Sequence, residues 1–469
     1  MSPFWMLLYL VLVLGVIFLE RKNPQEALLW VLVLLCIPYV GALLYLVFGS
    51  TIMLKISDLV RRRRMAGLNR RSAMDEFSFP AEDQPGLSES DAQVIRFNYN
   101  YNGSPLTRCR NAEFLTSGAA HYERLFADIA SAKESIHMEF YTIHNDRIGN
   151  ALVQALAKKA AAGVEVWVMC DYMANISSTA KMFLPLTSAG GIVRKLKPWL
   201  THFRSHRKIV SIDGRIGYIG GMNIGQQYAN FHEKKKPWRD TQVRLTGSCT
   251  AILENWFLAD WVCAVQSRKL PAMYDALHQA GERPQMGGES WCQFVAGGAE
   301  NDKEAVKMCY LSMIRSAKHT IRIQSPYFVP DESILDALKT AAASGVHIAL
   351  MIPGIEASFF LDPVTRYYSG QLLEYGAEVL RYRGYVHAKT MTIDDELCCI
   401  GSVNMDIRSL RIDDEICGVF YDNKLVEQYI NLFNEDCTHC DPYLFEEYAS
   451  RSVGKRAAES FFLLFAPLM

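Results

Sequence analysis

Apolar and polar positions follow three regimes along the chain. Pro3 to Leu19 is an unbroken apolar stretch and Ala27 to Phe48 a second, separated by Glu20 to Glu26, whose only bases are Arg21 and Lys22. As helices they would extend about 25 Å and about 33 Å. Pro38 and Gly41 interrupt the second, which lipid tolerates where neighbouring helices satisfy the backbone. A cleaved signal peptide needs a basic n-region and a small-residue cleavage site, and neither precedes Glu20. The pattern therefore predicts a two-helix transmembrane hairpin over residues 1–54.

The second regime, 55–108, is polar. Lys55, Arg61, Arg62, Arg63, Arg64, Arg70 and Arg71 stand with one acid, Asp58. The positive-inside rule then puts both termini and the catalytic part on the cytoplasmic side of the cell membrane, as a multi-pass protein. The cluster is either a contact for anionic headgroups, at about 1 kcal/mol per residue, or a topology signal alone. Residues 75–92, rich in Ser, Pro, Gly and acid, read as a linker.

Beyond it the chain repeats itself. SAKESIHMEFYTI from Ser131 matches SAKHTIRIQSPYF from Ser316, an offset of 185. Each is followed by a helical pattern, Ile148 to Ala162 and Ser333 to Ala343, ending at a glycine fit for a C-cap, Gly163 or Gly345. Apolar runs Val164 to Cys170 and Val346 to Ile352 come next. Strand, helix, strand predicts βαβ units and an α/β fold of two lobes, 109–270 and 285–445, with an apolar tail over 446–469. Tyr141 and Tyr327 are read as equivalent positions, lining the site or packing in the core.

The same duplication carries chemistry. HRKIVSID gives His206, Lys208 and Asp213; HAKTMTID gives His387, Lys389 and Asp394. Seven residues after each Asp comes Gly220-Gly221 or Gly401-Ser402, then Asn223 or Asn404, all at one offset of 181. On a strand, i and i+2 share a face, so His and Lys project together. The Asp sits at a turn, and the returning strand brings the amide back. Two copies about a pseudo-twofold axis place two histidines, two lysines and two amides around one phosphate. In-line displacement at a phosphodiester needs a nucleophile, an acid behind the leaving oxygen, and positive charge on the equatorial oxygens. With lysines carrying that charge, the pattern calls for no metal and no cofactor.

Composition adds little but excludes much. The 469 residues are 50% apolar and 21% charged, which rules out disorder, and the net charge of −1 argues against a nucleic-acid partner. Twelve cysteines form no disulfide framework, so a reducing compartment is expected. Cys437 and Cys440 are either half of a zinc site or ordinary thiols, and no second pair accompanies them. His232 to Arg239 (HEKKKPWR) is either an interfacial loop with Trp238 at headgroup depth or a solvated loop. The run from Ala457 to Met469 is too short to span and either lies in the membrane interface or packs on the protein.

The doubled HxKxxxxDxxxxxxG[GS]xN resembles the phospholipase D superfamily. SPYFVPDE from Ser325, GGMNI from Gly220, WRDT from Trp238, NMDIRS from Asn404 and the N-terminal hairpin make the chain similar to the bacterial cardiolipin synthases. That resemblance implies two pseudo-symmetric phospholipase D-like lobes with one active site between them. It implies a transfer of phosphatidyl from one phosphatidylglycerol to another, releasing glycerol, through a phosphohistidine. His206 and His387 then become nucleophile and general acid, and Lys208, Lys389, Asn223 and Asn404 hold the phosphate. Asp240 and Glu415 match the acids that orient the histidines, and Asp213 and Asp394 are supports. Ser205, Gln226-Gln227 and Asp413-Asp414 depart from the family pattern and bear on acceptor preference. The implied partners are phosphatidylglycerol and a bilayer with anionic headgroups; the oligomeric state is left open. A hydrolytic phospholipase D, phosphatidylethanolamine as acceptor, a nuclease and a lipid-binding scaffold with a relic site are the rival readings.

Overall fold

The computed structural model describes residues 3–18, 24–45, 86–196, 204–229, 237–265, 288–298, 304–355 and 358–466. The basic cluster 55–71, and residues 232–236 of the lysine-rich loop, lie outside them.

Each lobe is built on a twisted sheet. The first has seven strands, ordered Asn111–Leu115, Gln242–Thr246, Ile216–Gly220, Ile209–Ile212, Ser135–Phe140, Glu165–Asp171 and Ile192–Leu196. The second has nine, ordered Thr107–Cys109, Ser290–Gly297, Glu415–Phe420, Leu397–Gly401, Thr390–Ile393, Thr320–Gln324, His347–Pro353, Glu378–Tyr382 and Cys440–Pro442. The repeat segments form parallel pairs with the runs that follow them, Ser135–Phe140 with Glu165–Asp171 and Thr320–Gln324 with His347–Pro353. The intervening helices, Arg147–Ala161 and Glu332–Ala343, start at Asp146 and Asp331, whose carboxylates accept the first free N–H groups. Gly163 and Gly345 follow them with φ of 90° and 93°, the left-handed turn that a side chain would strain.

Helices cover the outer faces through cores around Leu152, Val168 and Phe183 in one lobe and Ile323, Leu338 and Leu350 in the other. Between the sheets lie Cys249–Val265 and Asn423–Cys437, in a shared core that joins Ile209 and Val243 of one lobe to Phe294, Ile400 and Tyr429 of the other. Trp261, 1% exposed, stacks on Trp167 there at 4.8 Å, and each such side chain removed from water contributes roughly 1.5–3 kcal/mol.

Two expectations change. The stretch preceding the first lobe is only partly a linker: Glu89–Asn102 is a helix with a Ser88/Asp91 capping box, packed on Ala305–Ser316, and Thr107–Cys109 joins the second lobe's sheet. At the N-terminus the second apolar segment is not one helix. It breaks at Ile37, because the residue before a proline is pushed out of the helical region, giving Pro24–Cys36 and Pro38–Leu44. With Pro3–Phe18, these pack around Val16, Leu34 and Tyr45 while Leu7, Leu10, Leu32 and Leu35 stay exposed. No helix among the described residues is long and apolar enough to cross a membrane.

Candidate active site

The lobes meet through two short backbone pairings that are copies of each other. Ser205 bridges Asp414 in parallel, and Tyr385–Val386 pairs in parallel with Trp238–Arg239. His206 N–H donates to the Asp414 carbonyl at 2.9 Å, and His387 N–H to the Arg239 carbonyl at 2.6 Å. In each case the residue after the pairing is a histidine on one strand and a carboxylate on the other, and they come from different lobes. The pairing is thus what aims each histidine at its partner. His206 Nδ1 lies 2.8 Å from Glu415 Oε1, and His387 Nδ1 lies 2.6 Å from Asp240 Oδ2. A carboxylate accepts, so each Nδ1 carries the hydrogen and each Nε2 is left with a lone pair.

Lys208 and Lys389 are buried beside them, in the extended lead-in to Ile209–Ile212 and Thr390–Ile393 rather than on the strands themselves. Lys208 Nζ donates to the His206 carbonyl at 2.6 Å; Lys389 donates to the His387 carbonyl and stands 2.9 Å from its Nδ1. Burial and the Lys389 charge bring Lys208 down to about 7, with Glu415 opposing. Burial brings Lys389 down to about 8 against Asp240 and Glu415. Burial and then the lysines hold both rings neutral, His206 well below the usual imidazole range and His387 at about 3. Each histidine feels both lysines, so the two motifs form one electrostatic site.

The carboxylates differ. Burial pushes Asp240 up, but His387, Lys389 and the Thr241 N–H outweigh it and leave it below the ordinary range. Burial raises Glu415 to about 7, opposed by Lys208 and the Ser402 hydroxyl, which donates to its second oxygen. The small-residue pair follows from this. A Cβ on Gly221 would stand 2.2 Å from Asp240 Oδ1, so only glycine fits beside the aspartate. The longer glutamate leaves room for Ser402. The [GS] of the motif is therefore tied to the acid it faces, a link visible in the sequence as Gly with Asp and Ser with Glu but overlooked there.

Asn223 accepts from the Thr142 N–H and donates to the Tyr228 hydroxyl, both at 3.3 Å; Asn404 has a buried amide oxygen with no partner among the described residues. Asp213 and Asp394, grouped with the catalytic residues from the motif, are elsewhere. Each lies at the far end of a four-residue strand, roughly 13–16 Å from its lysine. Asp213 accepts from the N–H groups of Lys133, Glu134 and Ser135, and Asp394 from those of Lys318, His319 and Thr320. They hold φ of 52° and 50°, a turn conformation that aspartate tolerates. Their carboxylates fasten the start of each repeat strand and do not reach the histidines.

The surroundings include Arg207, Tyr228 and Tyr385, which the sequence reading missed, beside Tyr141 and Trp238, which it named. Arg207, between His206 and Lys208, is fully buried on Asp260, the Gly297 carbonyl and the Glu415 carbonyl. Tyr228, Trp238 and Tyr385 stand 6.4, 5.0 and 6.0 Å from the His387 ring, and Tyr141 stands 4.9 Å from His206. Trp238 thus packs at the site. The register within each sheet makes Pro326 the counterpart of Tyr141, one position short of the expected Tyr327, whose hydroxyl meets Tyr385 at 2.9 Å. Ser205 donates to buried Glu139. Burial keeps Cys437 and Cys440 protonated, raised to about 11 and about 12, and Cys440 donates to the Asp436 carbonyl.

Comparison with known proteins places this arrangement. The family described as cardiolipin synthase, PLD-like domain, matches residues 125–261 and 310–437, and that described as phospholipase D-nuclease N-terminal matches 7–50. The major cardiolipin synthase ClsA of Bacillus subtilis is 33% identical over 476 residues, 99% of this chain and 98% of that protein. A cardiolipin synthase of Oceanobacillus iheyensis is 34% identical, covering 98% and 97%. The crystal structure of a phosphatidylserine synthase from Haemophilus influenzae superposes with a TM-score of 0.63 at 16% identity, over 80% of this chain and 97% of that one, a likeness of fold. On near-full-length identity and two matched domains, this chain belongs to the cardiolipin synthase family of phospholipase D-like proteins.

Proposed function

We propose that this chain is a phosphatidyltransferase that joins two phosphatidylglycerols into cardiolipin and releases glycerol, through a phosphohistidine in the cleft between the lobes. The observation that carries the mechanism is the pair of cross-lobe histidine–carboxylate contacts around two buried lysines. An anionic phosphodiester between Lys208 and Lys389 offsets their charge, restoring the ammonium form of both and raising the proton affinity of the ring that serves as acid. Nε2 of His206 attacks phosphorus, the bond to the glycerol oxygen breaks, and His387 gives that oxygen its proton. The hydroxyl of the second phosphatidylglycerol then loses its proton to His387 and attacks phosphorus, and the P–N bond breaks. The aromatic wall of Tyr228, Trp238 and Tyr385 beside His387 favours a lipid-borne hydroxyl over bulk water as acceptor.

Purified protein in mixed micelles with phosphatidylglycerol alone tests this by mass spectrometry of the lipids. Cardiolipin with equal free glycerol, and no nucleotide added, is the expected result. Phosphatidic acid without cardiolipin contradicts the transfer and indicates hydrolysis.

The N-terminal helices serve in this reading as a multi-pass membrane anchor with the catalytic lobes on the cytoplasmic side. Their support is the continuous apolar sequence and the leucines left exposed around the small core at Val16, Leu34 and Tyr45. The full chain should resist alkaline carbonate extraction from membranes; release into the supernatant contradicts an anchor.

A further inference from the structure

An exposed aromatic patch lies on the second lobe outside the catalytic machinery. Phe359 and Phe360, just ahead of the helix Leu361–Leu373, are 78% and 57% exposed. Their rings stand 5.2 and 5.6 Å from Phe462 on the C-terminal helix Val453–Leu463, whose Phe461 and the following Leu464 and Phe465 are also exposed. Phe461 meets Phe465 at 5.4 Å, so the rings form one surface rather than scattered residues. Contiguous apolar surface of this kind on a folded domain marks a contact.

Its position says what it contacts. Phe359 and Phe360 follow the C-terminal end of the strand His347–Pro353. That strand runs parallel to Thr320–Gln324, and Thr390–Ile393, preceded by His387, runs antiparallel to both, so patch and histidine share one edge of the sheet. Phe462 is rooted in a small core with Val329 and Val364, and Val329 pairs with Asp406, two residues beyond Asn404. A cavity of about 200 Å³ opens at the same edge, lined by Pro326, Asp362, Thr365, Arg366, Arg381 and Tyr443. Pro326 adjoins Tyr327, which leads through Tyr385 to His387. Lys455 is exposed on the same helix as Phe461. Exposed apolar rings on a helix that also carries an exposed lysine fit a phospholipid bilayer surface, rings at the acyl boundary and the cation among the headgroups.

We propose that Phe359, Phe360, Phe461, Leu464 and Phe465 form a wedge that seats the second lobe in a phospholipid bilayer, so that lipid enters the cleft from the His387 side. The inference rests on the proposed function only in taking the substrate to be a membrane lipid.

Full-length Phe360→Trp protein, reconstituted in vesicles of phosphatidylglycerol and phosphatidylcholine, tests insertion directly. Lipids brominated on the acyl chains should quench its added emission beyond the wild-type background, and quenching equal to wild type overturns the wedge. The double variant Phe359→Ser/Phe360→Ser should raise KM for vesicle lipid roughly tenfold, two phenyl groups being left unburied. Its kcat on a short-chain phosphatidylglycerol dissolved as monomers should stay at the wild-type value. Equal losses on both substrates mean a structural role and overturn the proposal. If the wild type turns over neither lipid, the functional reading fails, while the quenching still decides the wedge.

Discussion

The two halves of the site share a backbone frame and differ in what surrounds it. His206 and His387 each follow an interlobe pairing, each face a carboxylate from the opposite lobe, and each sit two residues before a buried lysine. Around His206 one ring, Tyr141, stands among polar neighbours: Glu415 with Ser402, Arg207 on Asp260, and Arg408 on Asp413. Around His387 they are Asp240 beside Gly221 and three aromatic rings. Duplication fixed the geometry that in-line transfer requires twice over, while divergence of side chains gave the two rings different proton chemistry. Asp240 stays ionised below the ordinary range, whereas Glu415 at about 7 is poised to exchange a proton near neutrality.

Removing the charge on either carboxylate is the strongest way to break this comparison. Asp240→Asn and Glu415→Gln should each lower kcat by about 10²–10⁴-fold, since an uncharged amide can donate to Nδ1 as well as accept and no longer fixes the ring's tautomer. The Asp240 variant should lose more, because Glu415 is already partly neutral at pH 7. Equal losses in steady-state assays would mean that the two acids are electrostatically alike.

Exchanging the small residues sharpens the same point. Gly221→Ser drives a Cβ to 2.2 Å from Asp240 Oδ1 and should cost roughly 10–100-fold in kcat/KM. Adding Asp240→Glu would not restore it unless the two sides are interchangeable, so partial rescue would argue for a symmetric pair of units. Ser402→Ala removes a donor to the ionised form of Glu415 and should cost about tenfold or less.

The pH profile carries a smaller effect with a definite sign. As pH rises through about 7 and then about 8, Lys208 and then Lys389 lose their protons and with them the grip on phosphate, so kcat/KM falls on the alkaline side. As pH falls through about 7, Glu415 takes up a proton and its hold on His206 weakens. Ser402→Ala should raise the Glu415 value further and move the acid limb to higher pH, leaving the alkaline limb in place. A shift of the alkaline limb instead would detach Ser402 from Glu415.

The smallest effect on chemistry is expected where the motif is most familiar. Asp213→Ala and Asp394→Ala each strip acceptors from three backbone N–H groups and should cost roughly 2–4 kcal/mol of stability in denaturant titrations. Turnover per folded molecule should stay within about threefold of wild type, as neither carboxylate reaches the histidines. A hundredfold loss of kcat without loss of stability would return them to the reaction.

The duplicated offset in the sequence carried the lobes, the parallel strand pairs and the glycine stops, because register and turns are local. It also carried the histidines, lysines and asparagines. What it left out depends on contacts between residues far apart in the chain. That Asp213 fastens a strand start 78 residues away follows from how strands pair within its own lobe, and that Trp238 lies against His387 follows only from how the halves dock. The capping box at Ser88 and Asp91 was readable in SESD but was masked by a composition that looks like a linker. Pro38 was legible as an interruption, and its effect is a break at Ile37.

The central claim is that one cleft holds two histidines with divided labour, His206 as nucleophile and His387 as acid and base. Rapid quench of the full chain with phosphatidylglycerol labelled in its acyl chains, followed by detection of lipid-bound protein, tests it most directly. His206→Ala should show no covalent adduct, and His387→Ala should accumulate one that is slow to release. Adduct in the His206 variant and none in the His387 variant would reverse the assignment, and none in any form, wild type included, would contradict the covalent mechanism.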